Sequence, residues 1–283
     1  MVIRRMRNAD IFKDTEHVYK TNKTLVEAVE SSIRAQELIL EEMEMKIEVI
    51  KGREGKVVVS SKRTLEASET YAKQGKKVCV LNFASATNPG GGVVHGSSAQ
   101  EESICRCSTL YPCLIVKEMW QQFYVLHRAM NNPLYNADCI FTPDVMVFKS
   151  DTDYPELLPE SEWWMVDVIT CAAPNLRDVP SNIMNPGGGS RKADISHEDL
   201  KDLLRTRIQR IFEVAIKRGV EVLVLGAFGC GAFCNPPKLV ATVFAEYTEK
   251  YRECFDVIEY AVFHLGREKG NYEAFEEVME RFV

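Results

Sequence analysis

The sequence has no excess of positive charge, no long apolar segment and no apolar signal core. Its formal net charge is −6. This argues against a broad nucleic-acid-binding surface, because such a surface neutralises many phosphates with lysine and arginine. No run of residues is apolar enough to cross a bilayer, and the start MVIRRMRNAD is polar and basic. We therefore expect a cytoplasmic protein that does not bind a membrane or nucleic acid directly.

Cysteine is present in an irregular pattern. The chain has nine cysteines, an odd number. Cys105, Cys107 and Cys113 lack the paired spacing of a zinc site, so we expect neither a metal nor another cofactor. In a cytoplasmic protein these thiols stay reduced. The 283 residues, 46% of them hydrophobic, are enough for one large domain or one domain with an extension.

The chain is organised around the stretch from Val78 to Arg106, VCVLNFASATNPGGGVVHGSSAQEESICR. Val78–Phe83 reads as a buried strand, and Gly90–Gly92 follow a polar turn. Glycines in this position let the backbone adopt positive φ and let a ligand approach the main chain. Glu101 and Glu102 then open a helix, whose first N–H groups favour anions. The stretch predicts acid/base chemistry on a phosphate-bearing ligand.

The acidic pair also has a structural interpretation. Ser98-Ala99-Gln100-Glu101 fits a capping box, in which the Glu101 side chain bonds back to the start of the helix. This explains Glu101 but leaves Glu102 unexplained. A helix N-terminus lowers the pKa of a carboxyl group, whereas a general acid needs a raised pKa. Burial or the neighbouring charge has to supply that rise if Glu102 is an acid.

A second glycine loop follows a second buried strand. Val222–Leu225 runs directly into Gly226–Pro237, GAFGCGAFCNPP, and a helix begins at the two prolines. Such a loop is suited to holding a diphosphate with backbone N–H groups. Ligands of open α/β sheets bind at the carboxyl ends of strands, so both glycine loops are predicted to line one cleft. An alternative interpretation makes Cys230 a nucleophile, although the sequence places no histidine near it to act as its base.

The remaining pattern predicts an α/β fold. We expect helices over residues 1–45, with Lys46–Ile50 and Lys56–Ser60 as a hairpin or two edge strands. A βαβ unit follows and indicates a largely parallel sheet. Later elements are a strand pair in Cys139–Phe148, strands at Trp164–Cys171 and Phe255–His264, a helix capped by Ser196, and a closing helix at Tyr272–Phe282.

Asn185–Gly189 repeats the NPGGG of the first loop. It lacks both the preceding strand and the acidic pair, and charged residues follow it. We interpret Val179–Ala193 as a flexible surface loop. The alternative is a mobile flap that carries Arg191 towards phosphate. His95, in the spacer of the first loop, is likewise expected to face solvent rather than to carry a proton.

Several blocks together resemble the bacterial-type poly(ADP-ribose) glycohydrolases, which are built on a macrodomain. They are GGG followed by QEE, the flank LNFASATNPGGG, the loop GAFGCGAFCNPP and the early RRMRNADIFKDTEHVY. The resemblance implies a three-layer α/β/α sandwich with a mixed, largely parallel sheet. It implies an N-terminal helical extension, residues 1–45, packed on a catalytic domain, residues 46–283. The extension carries no chemistry on this interpretation.

The resemblance also implies roles for residues. Glu102 is the acid and then the base for water, and Glu101 holds the ribose hydroxyls across the scissile bond. Asn88 orients the terminal ribose. The remaining substrate-binding residues are expected to be Gly90, Gly91, Gly92, Gln100, Gly229, Cys230, Gly231, Ala232 and Phe233. Since the proton comes from a carboxylic acid, no metal is required.

The expected activity is hydrolysis of ribose–ribose bonds in ADP-ribose polymer on modified proteins, from the free end, with ADP-ribose as product. The alternative is a macrodomain that binds ADP-ribose or removes single units from proteins. The Gln100-Glu101-Glu102 sequence argues against a pure binder, since binding requires no acidic pair. A nucleotide-binding protein of another class is disfavoured, because the sequence has no GxxxxGK[ST] loop.

Overall fold

A computed structural model describes residues 2–183, 185–266 and 268–282. Across these ranges, seven strands form one sheet in the order β1-β4-β5-β3-β6-β7-β2. The strands are β1 (Glu37–Ile39), β2 (Lys56–Ser60), β3 (Val78–Phe83), β4 (Cys139–Val147), β5 (Trp164–Cys171), β6 (Val222–Leu225) and β7 (Val257–Ala261). Strands β5, β3, β6, β7 and β2 are parallel, and β4 is antiparallel to both of its neighbours. The predicted mixed, largely parallel sheet is confirmed.

Helices cover both faces of this sheet. They are α1 (Val2–Thr21), α2 (Lys23–Ala35), α3 (Thr64–Ala72), α4 (Gln100–Cys107), α5 (Leu110–Leu114), α6 (Lys117–Met119), α7 (Val125–Met130), α8 (His197–Lys217), α9 (Pro237–Tyr251) and α10 (Gly270–Met279). A π-helical turn at Trp120–Tyr124 joins α6 to α7.

Alternation along the strands creates two separate hydrophobic cores. In β3, Val78 and Val80 pack in one core with Leu65 of α3. Cys79 and Leu81 point to the other face and pack in the core built by α8 and α9. Successive side chains of a strand point to opposite faces, so a strand covered on both sides is apolar throughout. The three-layer α/β/α, macrodomain-like sandwich is confirmed.

The helical prediction for residues 1–45 holds only as far as Ala35. Glu37–Ile39 is an edge strand instead, because it pairs antiparallel with β4. Helix α1 contacts the segment that follows β4. There the buried Lys149 donates from Nζ to Asp14 Oδ2 of α1 at 2.6 Å. The division of the chain at residue 45 stays a prediction.

Two strand predictions were wrong in detail. Lys46–Ile50 is irregular, since Lys56–Ser60 takes the sheet edge beside β7. Cys139–Val147 is one strand and not a pair. Its register shifts between Thr142 and Val145, on either side of a proline that has no N–H to donate. No helix within the described ranges is long and apolar enough to cross a membrane.

Candidate active site

The first glycine loop closes against the acidic pair. Gly90 and Gly91 have φ values of 67° and 57°, a left-handed conformation that costs other residues about 1 kcal/mol or more. A Cβ atom on Gly91 would lie only 2.5 Å from Glu102 Oε1 and 3.1 Å from Glu101 Oε2. Glycine is therefore required at residue 91 because two carboxyl groups occupy the space of a side chain.

Glu101 does not form the predicted capping box. Helix α4 begins at Gln100, and the preceding Ala99 makes no side-chain cap. The Glu101 carboxylate instead accepts hydrogen bonds from the Ser85 N–H at 2.8 Å and from Asn82 Nδ2 at 3.4 Å. Glu101 is 3% exposed. The structural interpretation of this glutamate was wrong, because its side chain turns to the end of β3.

Glu102 is held by one oxygen only. Its Oε1 accepts a hydrogen bond from the Gly92 N–H at 2.8 Å. Its Oε2 is buried and has no hydrogen-bond partner among the described residues. A buried polar atom without a partner costs about 1–3 kcal/mol and calls for an explanation. Gly91 and both glutamates line the same cleft.

Burial decides between two opposite expectations for the carboxyl pKa, which a helix N-terminus lowers and a general acid needs raised. It raises the pKa of both glutamates, and the Glu102 charge raises the pKa of Glu101 further. The Gly92 N–H opposes the rise at Glu102. Two adjacent buried carboxyl groups resist simultaneous ionisation and titrate as a pair. The arrangement keeps a proton on the pair at higher pH than an exposed glutamate would.

The Gln100 side chain connects α4 to β3. Its Oε1 accepts from the Phe83 N–H at 2.9 Å, and its Nε2 donates to the Leu81 carbonyl at 2.7 Å and to Thr64 Oγ1 at 3.1 Å. Both N–H bonds of the amide are thus used within the protein. Gln100 lines the cleft, and its visible function is to orient the helix that carries the acidic pair.

Asn88 braces the turn before the glycines. Its side-chain amide donates to the Gly91 carbonyl, and its backbone N–H donates to Ser85 Oγ at 3.1 Å. The side chain is half-buried. The ribose contact expected of Asn88 stays a prediction, as does a contact with Gly92, which has φ −98° and needs no left-handed conformation.

The second glycine loop has one tight and one open glycine. Gly229 has φ 72°, and a Cβ atom there would lie 2.4 Å from the Ala173 Cβ. Gly231 has nothing within 4 Å of its Cβ position. Burial raises the pKa of the Cys230 thiol to about 12. The thiol is therefore neutral near pH 7, which argues against the nucleophile alternative.

A cleft of about 880 Å³ runs between the two loops. It brings together most of the predicted site residues: Gly91, Gln100, Glu101, Glu102, Gly229, Gly231, Ala232 and Phe233. Asn88, Gly90, Gly92 and Cys230 do not line it. His95 is exposed outside it, as predicted. The parallel strands present their carboxyl ends to one edge of the sheet, which is why loops distant in sequence meet there.

The second NPGGG is part of the site wall, so its interpretation as a free surface loop was wrong. Asn185 is 4% exposed. Its Oδ1 accepts hydrogen bonds from Ser85 Oγ at 2.7 Å and from Thr87 Oγ1 at 3.1 Å. Its Nδ2 donates to the Tyr135 hydroxyl at 3.2 Å. The repeat supports the first loop, whereas Arg191 is exposed and does not line the cleft.

The sequence did not predict the arginines that line the cleft. Arg177 lies 5.4 Å from the centre of the Phe233 ring and donates from Nε to Asn175 Oδ1 at 3.1 Å. Arg4 and Arg5, at the start of α1, also line the cleft. No local pattern marks these arginines, because helix docking and loop packing bring them to the cleft.

A macrodomain-like sandwich with a buried carboxyl pair between two glycine loops defines a hydrolase-type cleft. Residues 7–150 match the family described as microbial-type PARG, catalytic domain, where PARG is poly(ADP-ribose) glycohydrolase. The chain belongs to this family of glycohydrolases. None of the curated proteins compared with it matches the chain.

The chain is also similar to solved structures of poly(ADP-ribose) glycohydrolases. The poly(ADP-ribose) glycohydrolase of Thermomonospora curvata is 29% identical with a TM-score of 0.82, over 97% of this chain and 100% of that one. The Deinococcus radiodurans enzyme in complex with ADP-ribose is 29% identical with a TM-score of 0.76, over 89% of this chain and 97% of that one. A Thermomonospora curvata structure with the inhibitor ADP-HPD is 28% identical, with a TM-score of 0.79 over 96% and 99%.

Proposed function

We propose that the chain cleaves the ribose–ribose glycosidic bonds of ADP-ribose polymer with Glu102 as general acid and then general base. The observation that carries this proposal is the asymmetry of the Glu102 carboxyl group. Oε1 is held by the Gly92 N–H, while the buried Oε2 has no partner among the described residues. A buried carboxyl group with one oxygen fixed and the other unpaired, in a residue that lines the cleft, is suited to proton transfer.

In the first step, Glu102 Oε2 gives its proton to the ribose oxygen of the leaving unit. The bond from that oxygen to the anomeric carbon breaks, and an oxocarbenium-like centre forms. In the second step, the Glu102 carboxylate takes a proton from a water molecule, whose oxygen bonds to the anomeric carbon. Both steps conserve protons, so the glutamate is regenerated in its acid form.

Glu101 has a different role on this proposal. Consecutive helical side chains point about 100° apart, so Glu101 and Glu102 cannot flank one bond from opposite faces. The Ser85 N–H and Asn82 hold the Glu101 carboxylate at the floor of the cleft. There it would accept hydrogen bonds from ribose hydroxyls. Asn88 would orient the terminal ribose, and the backbone of Gly90–Gly92 would approach the ribose closely.

The second loop would hold the diphosphate. Gly231 and Ala232 are exposed and line the cleft, where their backbone N–H groups would meet a ligand. Phe233 would pack on the ribose, and Arg177 beside it would supply positive charge to the phosphates. Gly229 and Cys230 shape the loop, since Gly229 packs tightly on Ala173.

The substrate would be polymer carried by modified proteins, and the product ADP-ribose. Phe233 and the loop 226–237 are the candidates for a wall that closes the cleft around the terminal ribose and limits cutting to the free end. A cytoplasmic location remains part of the proposal, supported by the nine cysteines, all of them free thiols in the structure.

Incubation with long polymer and with mono-ADP-ribosylated protein tests the proposal. We expect free ADP-ribose from the earliest time points on polymer, few released oligomers, and retention of the protein-linked unit. Abundant oligomers would contradict cutting from the free end. Release of the protein-linked unit without cleavage of polymer would favour the mono-ADP-ribosyl hydrolase alternative, and no release from either substrate would favour a binding module.

A further inference from the structure

Four arginines gather at the mouth of the cleft beside α1. Arg4, Arg5 and Arg63 line the cleft. Arg4 and Arg63 both donate to Asp153 Oδ1, at 3.1 and 2.7 Å, and Arg7 donates to the Asp153 backbone carbonyl at 3.3 Å. We call Arg4, Arg5, Arg7 and Arg63 the arginine cluster. One carboxylate is thus shared by guanidinium groups from α1 and from the residue before α3.

The arginine cluster carries excess positive charge. The acidic groups that face it are Asp153, Glu66, which accepts from the Arg63 backbone N–H at 3.1 Å, and the buried Asp151. Burial raises the pKa of Asp151, and the Arg63 charge opposes that rise. Arg5 has no side-chain hydrogen bond or ion pair among the described residues. A positive mouth on a chain of net charge −6 attracts a polyanion locally.

The cluster adjoins the segment that carries Glu102. Gly96 lies so close to the Arg5 carbonyl that a Cβ atom there would be 1.9 Å from its oxygen. Thr64, the neighbour of Arg63, accepts a hydrogen bond from Gln100 Nε2 at 3.1 Å. Both contacts join the cluster to the residues immediately before Glu102. On the proposed function the second glycine loop holds the diphosphate of the bound unit, which leaves the cluster for another phosphate group.

We propose that the arginine cluster binds the pyrophosphate of the leaving polymer unit, the unit whose ribose oxygen receives the proton from Glu102. The inference rests on the proposed function, because only a polymer has such a unit. Guanidinium groups bind phosphate oxygens in pairs and remain charged throughout the physiological pH range. Helix α1 thereby has a role in substrate binding besides its packing on the sheet.

Binding measurements separate this inference from catalysis. Arg4→Ala/Arg5→Ala is introduced into a Glu102→Gln background, so that labelled polymer stays intact during the measurement. The Kd for polymer should rise about tenfold, as expected when one to two charge-assisted hydrogen bonds are lost. The salt dependence of log Kd should weaken by about 0.7 for each phosphate contact removed. The Kd for ADP-ribose should stay within about twofold, because on this proposal the cluster contacts only the leaving unit, which free ADP-ribose lacks.

Lys20→Ala/Arg34→Ala is the matched control, since it removes two positive charges from the same N-terminal helices at exposed positions. Arg5→Glu is a second variant that breaks no ion pair, and it should weaken polymer binding at least as much as the double variant. Unchanged polymer affinity would overturn the inference, and so would an equal loss for ADP-ribose or for the control. Turnover of the wild-type chain on polymer is measured separately, so failure of the proposed function is distinguishable from failure of the cluster.

Discussion

The two NPGGG segments have the same five residues but contact different groups. In the first, Gly91 packs against both glutamates and the Gly92 N–H binds Glu102. In the second, Gly187 packs against Arg128, and Asn185 accepts hydrogen bonds from Ser85 and Thr87. The same five residues therefore place their main chain against the acidic pair in the first segment only. The second segment instead supports the first.

Alanine substitutions at Gly91 and at Gly187 should have very different effects on turnover. Both glycines have positive φ, 57° and 75°, so each variant should lose about 1–3 kcal/mol of stability. Gly91→Ala also displaces the Glu102 carboxyl group, and turnover should fall at least about 100-fold, as misplacement by about 1 Å does. Gly187→Ala should retain turnover within a few fold. An equal loss of turnover in both variants would contradict the comparison.

Asn185→Ala tests the support that the second segment gives the first. The buried Ser85 and Thr87 hydroxyls would lose their acceptor, which should cost about 1–3 kcal/mol of stability and lower turnover modestly. Thr87→Val removes one of the two donors while keeping the shape of the side chain. In a double-mutant cycle the two changes should couple by about 0.5 kcal/mol or more. Additive losses of stability would show that the two segments are independent.

Glycines of the second loop predict a further contrast. Gly229→Ala should destabilise the protein, since its Cβ would lie 2.4 Å from that of Ala173. Gly231→Ala meets nothing within 4 Å, so the melting temperature should stay unchanged while ADP-ribose affinity falls several fold. Calorimetric affinities and thermal melts measure both. Unchanged affinity in Gly231→Ala would remove this residue from the proposed diphosphate site.

The smallest expected effect is on the pH dependence of stability. Burial raises the folded-state pKa of Glu102. The folded protein therefore binds this proton more tightly than the unfolded chain, and ionisation destabilises it as pH rises through the raised pKa. Glu102→Gln avoids that cost, so its melting temperature should exceed that of the wild type by about 2 °C near pH 8. The gain should vanish near pH 4, and a gain that grew on acidification would contradict the sign.

Much of the fold could be predicted from the sequence. Val78–Phe83, Trp164–Cys171 and Val222–Leu225 are confirmed with their predicted bounds, because strands buried on both faces are continuous apolar runs. The edge strand Glu37–Ile39 was missed, since its short run is defined by pairing with β4. Edge pairing depends on a partner distant in sequence and leaves little local signal.

The site was predictable where its residues lie close in sequence. Gly91 and the acidic pair share one stretch, so their meeting at the cleft was expected. Asn185 and Ser85 are 100 positions apart, and only the fold reveals that they meet. The repeated NPGGG was a signal in the sequence, but the sequence does not show that Asn185 contacts Ser85. The arginines of α1 have no such signal, because packing of the helix decides which side chains reach the cleft.

Glu102→Gln tests whether Glu102 is the general acid. Glutamine keeps the size of the side chain and an oxygen for the Gly92 N–H, but it has no acidic proton to give. Turnover on polymer should fall by about 10²–10⁴-fold, while ADP-ribose affinity, measured by calorimetry, stays close to that of the wild type. Turnover near the wild-type level with intact binding would contradict the assignment of Glu102 as the acid.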